Sequence, residues 1–208
     1  MLTRRLLVIV AGIAVSAAAV ALFSGKRVDP VGRDRKPDIL AGLARLGPLP
    51  DDATITQAQL DEFSDIIGWV ELAPPDPDYI RPLLRTFGYG YGVDLYVHGA
   101  NALLKQDRAA TVAAALDVLE SGRDGPRQWA METLRRLREG DRGNPPPLPR
   151  EVQAVEVALR GPELVAHSAV YWAYWVEDSH PAGRRLLELA ARVSPGEARV
   201  RAAELLAE

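Results

Sequence analysis

The chain has 208 residues, of which 48% are hydrophobic, so it can form one sizeable domain with a core, and global disorder is excluded. Because cysteine is absent, disulfide bonds and thiolate metal sites are excluded as well. Residues 1–36 contain seven basic and two acidic residues. Residues 37–75 contain one basic and seven acidic residues, and residues 76–208 contain 17 basic and 19 acidic residues. The part expected to fold is thus acidic, and nucleic-acid binding would require a locally basic face.

The N-terminal segment has the pattern of a membrane-directed sequence. Leu6 to Phe23 is a run of 18 residues without charge, with two arginines before it and a lysine–arginine pair after it. As a helix rising 1.5 Å per residue it would be about 27 Å long, just enough to cross a hydrocarbon core. Residues 1–27 therefore predict a single-pass signal-anchor. The alternative is a cleaved signal peptide, with Ala19-Val20-Ala21 as its small-residue cleavage site.

Two opposing signals bear on the side of the membrane that the folded part occupies. Five basic residues between Lys26 and Lys36, against two before the helix, would keep this flank in the cytoplasm by the positive-inside rule. Short bacterial anchors with a small basic N-terminal tail more commonly export the domain attached to their C-terminal end. We favour that orientation, outside the cytoplasm, for a bacterial cell membrane protein. Residues 28–37 are charged, contain glycine and proline and show no apolar period, so they predict a linker.

A leading helical unit is predicted over residues 38–75. Its first helix, Asp38–Leu46, carries an apolar stripe and ends at a Gly-Pro-Leu-Pro segment. Its second helix runs from behind Thr56 to about Leu72. Thr56 and Gln59, three residues later, form the sequence pattern of a capping box.

Four helix pairs are predicted over residues 76–208. Asp107 is a good N-cap, Pro82 would delay the start of its helix, and Ser194 and Glu197 form a second capping-box pattern. Because no segment shows the alternation of a strand, the predicted fold class is all-α. The pairs are Asp78–Phe87 with Val93–Lys105, Arg108–Ser121 with Pro126–Glu139, Arg150–Arg160 with Pro162–Glu177, and Pro181–Val193 with Pro195–Ala207.

The second helix of each pair contains one pattern of small residues. Two small or slim residues are followed by a large apolar residue four places after the first, and the four copies begin 31, 38 and 34 residues apart. A period in this range indicates a helical repeat array, whose units bury their apolar faces only against neighbouring units. The copies are Gly99–Leu103, Ala130–Leu134, Ser168–Trp172 and Ala202–Leu206.

This pattern resembles HEAT-type repeats, especially the short bacterial kind. The clearest copy is residues 197–206, Glu-Ala-Arg-Val-Arg-Ala-Ala-Glu-Leu-Leu, in which arginine precedes paired alanines and a leucine. The resemblance covers residues 76–208 and implies a right-handed α-solenoid of about four HEAT-like helix pairs. Here the array is preceded by the leading helical pair and the N-terminal hydrophobic helix. The resemblance also implies a scaffold, adaptor or inhibitor, and it carries over no catalytic residue because the repeat pattern defines none. No cofactor is predicted.

The strongest candidate for a binding surface is the aromatic segment Tyr171-Trp172-Ala173-Tyr174-Trp175. If Trp172 and Trp175 fill the core, Tyr171 and Tyr174 are left near the surface, because the four side chains cannot share one helix face. Exposed Tyr and Trp are the usual anchors of a binding surface. The alternative is that neighbouring helices or the proline-rich loop cover all four rings. Tyr171, Tyr174 and Trp175 are the protein-binding candidates of this segment.

A second candidate is the pair Tyr89 and Tyr91 in the Gly-Tyr-Gly-Tyr-Gly segment at residues 88–92. Three glycines permit a tight turn in which both rings could contact a ligand. The segment does not lie between a strand and a helix, as a phosphate-binding loop does, so no nucleotide site is predicted. The alternative is an inter-helix connection whose tyrosines cover the edge of the array.

The histidines permit a competing function, a small-molecule-binding or enzymatic protein that uses the Tyr/Trp-rich helix and a nearby histidine. Asp94 and His98 share one helix face, and Glu177, Asp178 and His180 form a polar cluster at a helix end. Hydrogen-bonded or solvated side chains explain both groups more simply, so no metal site or catalytic residue is predicted. The competing function requires Asp94 with His98, or Asp178 with His180, to converge in one concave pocket.

Six arginines in residues 123–142 raise nucleic acid as a third function. Four acidic residues are interleaved with them and the N-terminus is directed to a membrane, so a solvated face is the better interpretation and no nucleic-acid partner is predicted. The sequence as a whole predicts a membrane-tethered helical-repeat scaffold rather than an enzyme. Residues 6–23 would anchor the chain in the membrane. The folded part would bind another protein, whose identity the sequence does not reveal.

Overall fold

The computed structural model describes residues 34–47, 55–86, 92–121, 124–140 and 146–208. In these ranges all regular structure is helical and no strand occurs, which confirms the all-α class. None of the helices in this part of the chain is long and apolar enough to cross a membrane, and the predicted anchor lies outside the described residues. The helices are α1 (Lys36–Leu46), α2 (Gln57–Leu72), α3 (Pro77–Thr86), α4 (Gly92–Leu104), α5 (Arg108–Ser121), α6 (Asp124–Gly140), α7 (Pro149–Ala158), α8 (Glu163–Glu177), α9 (Pro181–Val193) and α10 (Gly196–Ala207).

Two predicted N-caps are present as hydrogen bonds. Thr56 Oγ1 accepts from the N–H of Gln59 at 3.3 Å, and Gln59 Oε1 accepts from the N–H of Thr56 at 2.9 Å, so the capping box of α2 is confirmed. Asp107 Oδ1 accepts from the N–H of Ala110 at 2.8 Å at the start of α5. Helices α5 and α9 have the predicted bounds to the residue, because the aspartate and the proline that start them act locally.

The expected late start of α3 is wrong. The helix begins at Pro77 and continues through Pro82. Three of its core side chains, Ile80, Leu83 and Leu84, are at most 2% exposed. Burial of three large aliphatic side chains outweighs the single backbone hydrogen bond that Pro82 cannot donate, so the proline is tolerated inside the helix.

The capping box predicted from Ser194 and Glu197 is absent at the start of α10. The Ser194 hydroxyl instead donates to the carbonyl oxygen of Leu159 at 2.8 Å, and the Glu163 carboxylate accepts from the N–H of Glu197 at 2.6 Å. Gly196 has a φ of +46°, and a Cβ there would overlap the Glu163 carboxylate. Helix α10 therefore takes its N-terminal anion from the first turn of α8, because the free N–H groups of a helix start stabilise a carboxylate.

The helices pack in pairs, and the pairs pack in chain order. Contacts join α1 with α2, α3 with α4, α5 with α6, α7 with α8, and α9 with α10. Each odd-numbered helix also contacts the next odd-numbered one from α1 to α9, and each even-numbered helix contacts the next even-numbered one from α2 to α10. Arg35–Glu208 thereby form one unit whose buried side chains make up a continuous core.

The first small residue of each copy of the repeated pattern lies inside this core. Gly99, Ala130, Ser168 and Ala202, which begin the four copies, are all buried. The large apolar residues of the first three copies are buried as well. Small side chains allow neighbouring helix backbones to approach closely in a dense interior. The pattern thus follows from helix packing.

A buried ion pair joins α6 to α7. The side chains of Arg138 and Glu151 are each 3% exposed, and Arg138 Nη2 donates to Glu151 Oε2 at 2.7 Å. Glu151 Oε2 also accepts from the N–H of Leu148 at 2.8 Å, which fixes the start of α7. The guanidinium carbon of Arg138 lies 5.6 Å from the centre of the Trp172 ring in α8. The guanidinium of Arg138, in α6, therefore contacts both α7 and α8.

Replacement of Arg138 by methionine is expected to lower the free energy of unfolding by about 3–5 kcal/mol, because the Glu151 carboxylate would be buried without its counter-ion. Arg150 is a matched control. It pairs with Asp117 and Glu120 at the surface and its side chain is 45% exposed, so Arg150→Met should change stability little. Urea unfolding followed by circular dichroism measures both variants. Equal losses would contradict the role assigned to the buried pair.

Gly183, in the first turn of α9, has no room for a side chain. A Cβ there would overlap the backbone of Glu177 and the carbonyl oxygen of Ala173 in α8. Gly183→Ala is therefore expected to lower the free energy of unfolding by about 1–3 kcal/mol, as overpacking does. Gly68 in α2 is the control, since a Cβ there meets nothing within 4 Å. Gly68→Ala should raise stability by about 1 kcal/mol through helix propensity. Thermal unfolding tests the pair, and a stabilised Gly183 variant would refute the close contact.

Candidate functional site

Helix α8 is surrounded on most sides. It contacts α6, α7, α9 and α10, and the side chains that face the core are buried. One stripe remains, formed by residues three or four apart, which is the spacing of a single helix face. We call it the aromatic face of α8. It consists of Leu164, which is 47% exposed, and of His167, Tyr171, Tyr174 and Trp175, which are half-buried.

The aromatic candidates of α8 divide between core and surface. Trp172 is fully buried, whereas Trp175 is half-buried together with Tyr171 and Tyr174. The rings of Tyr174 and Trp175 meet edge to face, with centroids 5.7 Å apart and an interplanar angle of 64°. Trp175 Nε1 is buried and has no acceptor among the described residues, so the part of its ring that reaches solvent is carbon. This end of the face is therefore apolar.

Tyr171 is held from two helices. Its ring lies 5.1 Å from the ring of His167, one turn earlier in α8. Arg201 Nε of α10 donates to Tyr171 Oη at 3.0 Å, and the guanidinium carbon lies 5.5 Å from the ring centre. A hydrogen bond to Glu204 and a second one to Tyr171 raise the pKa of Arg201, which remains a cation at any physiological pH. The Tyr171 ring is thereby fixed in one position.

The opposite flank of α8 contacts a buried carboxylate of α6. Glu132 is 4% exposed and accepts from Arg135, from Arg136 Nε at 2.9 Å and from the Ser168 hydroxyl at 3.2 Å. Burial raises the pKa of Glu132, but hydrogen bonds and charge from the two arginines lower it more, and the net shift is downward. The carboxylate is therefore ionised at neutral pH and fixes α6 against α8.

The interhelical partners of this site were not predicted from the sequence. Tyr171 and Arg201 are 30 residues apart, and Glu132 and Ser168 are 36 residues apart. Both separations are close to one period of the repeated pattern, since successive even-numbered helices pack against each other. Pairs of polar residues one period apart would have been the signal to look for.

The second candidate pair, Tyr89 and Tyr91, lies outside the described residues. Its role stays a prediction. The side chain of Asp94 is likewise not described, while His98 Nδ1 lies 3.3 Å from Glu71 Oε1 and links α4 to α2. His98 thus has a carboxylate partner from a neighbouring helix.

The polar cluster at the end of α8 divides among separate contacts. His180 Nδ1 accepts from the N–H of Ala182 at 3.2 Å and caps α9, and Glu177 pairs with Arg184 at 3.0 Å. The described residues contain no group of three or more His, Asp and Glu side chains that could hold a metal ion. The side chain of Asp94 is not described and that of Asp178 is exposed, so the convergence of Asp94 with His98, or of Asp178 with His180, stays a prediction.

The arginines of residues 123–142 are largely paired where they are described. Arg135 binds Glu132 and Glu139, Arg136 binds Glu132, and Arg138 binds the buried carboxylate of α7. Arg123 and Arg142 lie outside the described residues. These four ion pairs offset the positive charge of three arginines that could otherwise contact a nucleic-acid backbone.

Acid is expected to remove the contribution of Glu132 to stability. The pKa of its carboxyl is lower in the folded protein than its ordinary value of 4.5, so this contribution is complete above pH 4.5 and is lost as the pH falls through the folded value. Glu132→Gln should therefore flatten the loss of melting temperature below pH 4.5. Scanning calorimetry of both proteins at a series of pH values measures this. Parallel losses in the two proteins would show that another carboxylate is responsible.

No protein-family model, curated protein or solved structure matches this chain. The resemblance to HEAT repeats therefore rests on the chain's own small-residue pattern. What can be inferred about its function rests in turn on its own side chains, above all those of the aromatic face of α8.

Proposed function

We propose that this chain is a membrane-tethered helical-repeat scaffold or adaptor that binds another protein and performs no chemistry of its own. Its described part would be a right-handed, HEAT-like α-solenoid, with α1 and α2 as the leading pair and four further pairs behind them. The packing of helix pairs in chain order supports this, because a solenoid is a stack of such units. An uncleaved anchor at residues 6–23 would hold the chain in a bacterial membrane, with the repeats outside the cytoplasm.

The aromatic face of α8 is the observation that carries this proposal. Tyrosine, tryptophan and arginine are the residues most enriched among the energetically dominant contacts of protein interfaces. Tyr171 is already held by His167 and Arg201, so a partner that covers it loses little side-chain entropy. From Leu164 to Trp175 the face extends about 16 Å along the helix, which equals three turns of a partner helix.

The charges that border the aromatic face suggest what kind of partner it accepts. Arg201 pairs with Glu204 at 2.9 Å, and Arg135 pairs with Glu139 at 2.8 Å. Both arginines, which lie on helices that contact α8, are therefore paired with a carboxylate. We therefore propose a partner that buries apolar surface here, with an affinity that depends only weakly on salt.

Replacement of Tyr171 by alanine is expected to weaken partner binding about tenfold or more, as the loss of an anchoring ring does. The full-length chain is purified from membranes in mild detergent, co-purifying protein is identified by mass spectrometry, and the purified partner is then titrated against each variant. Tyr174→Ala should weaken binding as well.

Two control variants separate recognition from folding. Tyr171→Phe keeps the ring but loses the hydroxyl contact with Arg201, so it should bind nearly as well as the parent chain. Val157→Ala changes an apolar residue of α7 that is 56% exposed, and it should not affect binding. The proposal fails if both tyrosine-to-alanine variants bind the partner as tightly as the parent chain does. It also fails if no protein co-purifies, in which case a small-molecule ligand of the aromatic face becomes the next hypothesis.

A further inference from the structure

A second apolar surface lies at the ends of α2 and α4. Leu72, at the end of α2, is 86% exposed, and Leu104, at the end of α4, is 37% exposed. Pro74 and Pro75 follow Leu72 and are exposed, and Trp69, one turn before it, is half-buried. We call these five residues the α2–α4 corner. Leu72 is the most exposed large apolar side chain among the described residues, and an apolar patch open to solvent indicates a surface that something covers.

The backbone of the α2–α4 corner is fixed. Lys105 Nζ donates to the carbonyl oxygens of Glu71 and Ala73, and the N–H of Asp76 donates to Gln106 Oε1 at 2.8 Å. The two bonds from Lys105 satisfy carbonyl groups that the end of a helix leaves free. All three bonds connect the end of α2 to the end of α4. The leucines are thus held outward by ordered helix ends.

The first two residues of the folded unit, Arg35 and Lys36, contact residues at or next to this corner. The guanidinium carbon of Arg35 lies 4.6 Å from the centre of the Trp69 ring, and Lys36 Nζ pairs with Asp76 at 2.6 Å. Arg35 is twelve residues after Phe23, the end of the uncharged run, and twelve residues span at most about 43 Å. A bilayer that holds the run is therefore never far from Arg35.

The acidic side chains next to the corner have partners within the protein. Lys36 bridges Asp76 and Asp78 at 2.6 Å each, and Asp107 caps α5 through the N–H of Ala110. Apolar side chains and a tryptophan, bordered by arginine and lysine, are typical of protein surfaces that lie in the lipid interface. Composition, and the position of Arg35 beside Trp69 at the end of the chain that leads to residues 6–23, therefore favour a lipid surface as the occupant.

We propose that the α2–α4 corner rests in the headgroup layer of the membrane, with Leu72 and Leu104 reaching the acyl boundary. This inference rests on the proposed tether at residues 6–23. A second lipid contact would fix the orientation of the folded unit against the bilayer. The corner would thus set which surfaces of the unit face away from the bilayer.

The absence of cysteine allows a direct test in the full-length chain. Leu72→Cys and the control Val157→Cys, which is 56% exposed in α7, are each labelled with an environment-sensitive fluorophore and reconstituted into phosphatidylcholine vesicles. The label at position 72 should shift to shorter wavelength. Spin-labelled lipid should quench it at least about twice as strongly as the label at position 157, which should remain open to aqueous iodide.

Three other outcomes overturn the inference. If the protein floats with the vesicles but iodide quenches both labels equally, the tether stands and the lipid contact is refuted. If the label at position 72 is shielded from both iodide and spin-labelled lipid, a protein surface covers the corner instead, either a partner or a second copy. If the protein does not float with the vesicles, the tether fails and this contact fails with it.

Discussion

The buried pair of Arg138 and Glu151 is the constraint on which the arrangement of the central helices depends. An arginine and a glutamate that are each 3% exposed have lost most of their hydration, so each needs the other in place. Glu151 also accepts the N–H of Leu148, which sets where α7 begins after the proline-rich segment. Arg138 in addition lies over the ring of Trp172, so the rotation of α8 about its axis is coupled to the same pair.

That rotation decides what α8 presents to solvent. With Trp172 in the core, the 100° advance of a helix places Tyr171 about 100° and Tyr174 about 160° away from it, while Trp175, about 60° away, is half-buried at the edge of the core. Contacts with α6, α7, α9 and α10 leave only this stripe open. The surface proposed to bind a partner is therefore a by-product of core packing, made specific by one residue of α10 that fixes Tyr171.

What the sequence predicted well was decided within a few residues. Helix α9 starts at a proline and α2 at a capping box, and both signals are complete in the local sequence. The predictions that were wrong or missing concern side chains whose hydrogen-bond partners lie in another helix pair. Ser194 and Glu197 had the spacing of a cap, but Glu163 supplied the carboxylate from α8. The aromatic segment was found as a candidate because its composition is unusual, whereas Arg201 was missed because arginine is common and its contact with Tyr171 spans 30 residues.

The carboxylate of Glu163 also gives the unit a direction of assembly. Helix α10 can receive its N-terminal anion only after the first turn of α8 has formed, because the glycine at its start offers no side chain of its own. A ribosome releases α8 before α10, so the start of α10 meets a preformed acceptor when it emerges. The helices then fold in the order in which they are synthesised. The last pair, α9 and α10, packs onto a surface that has already formed.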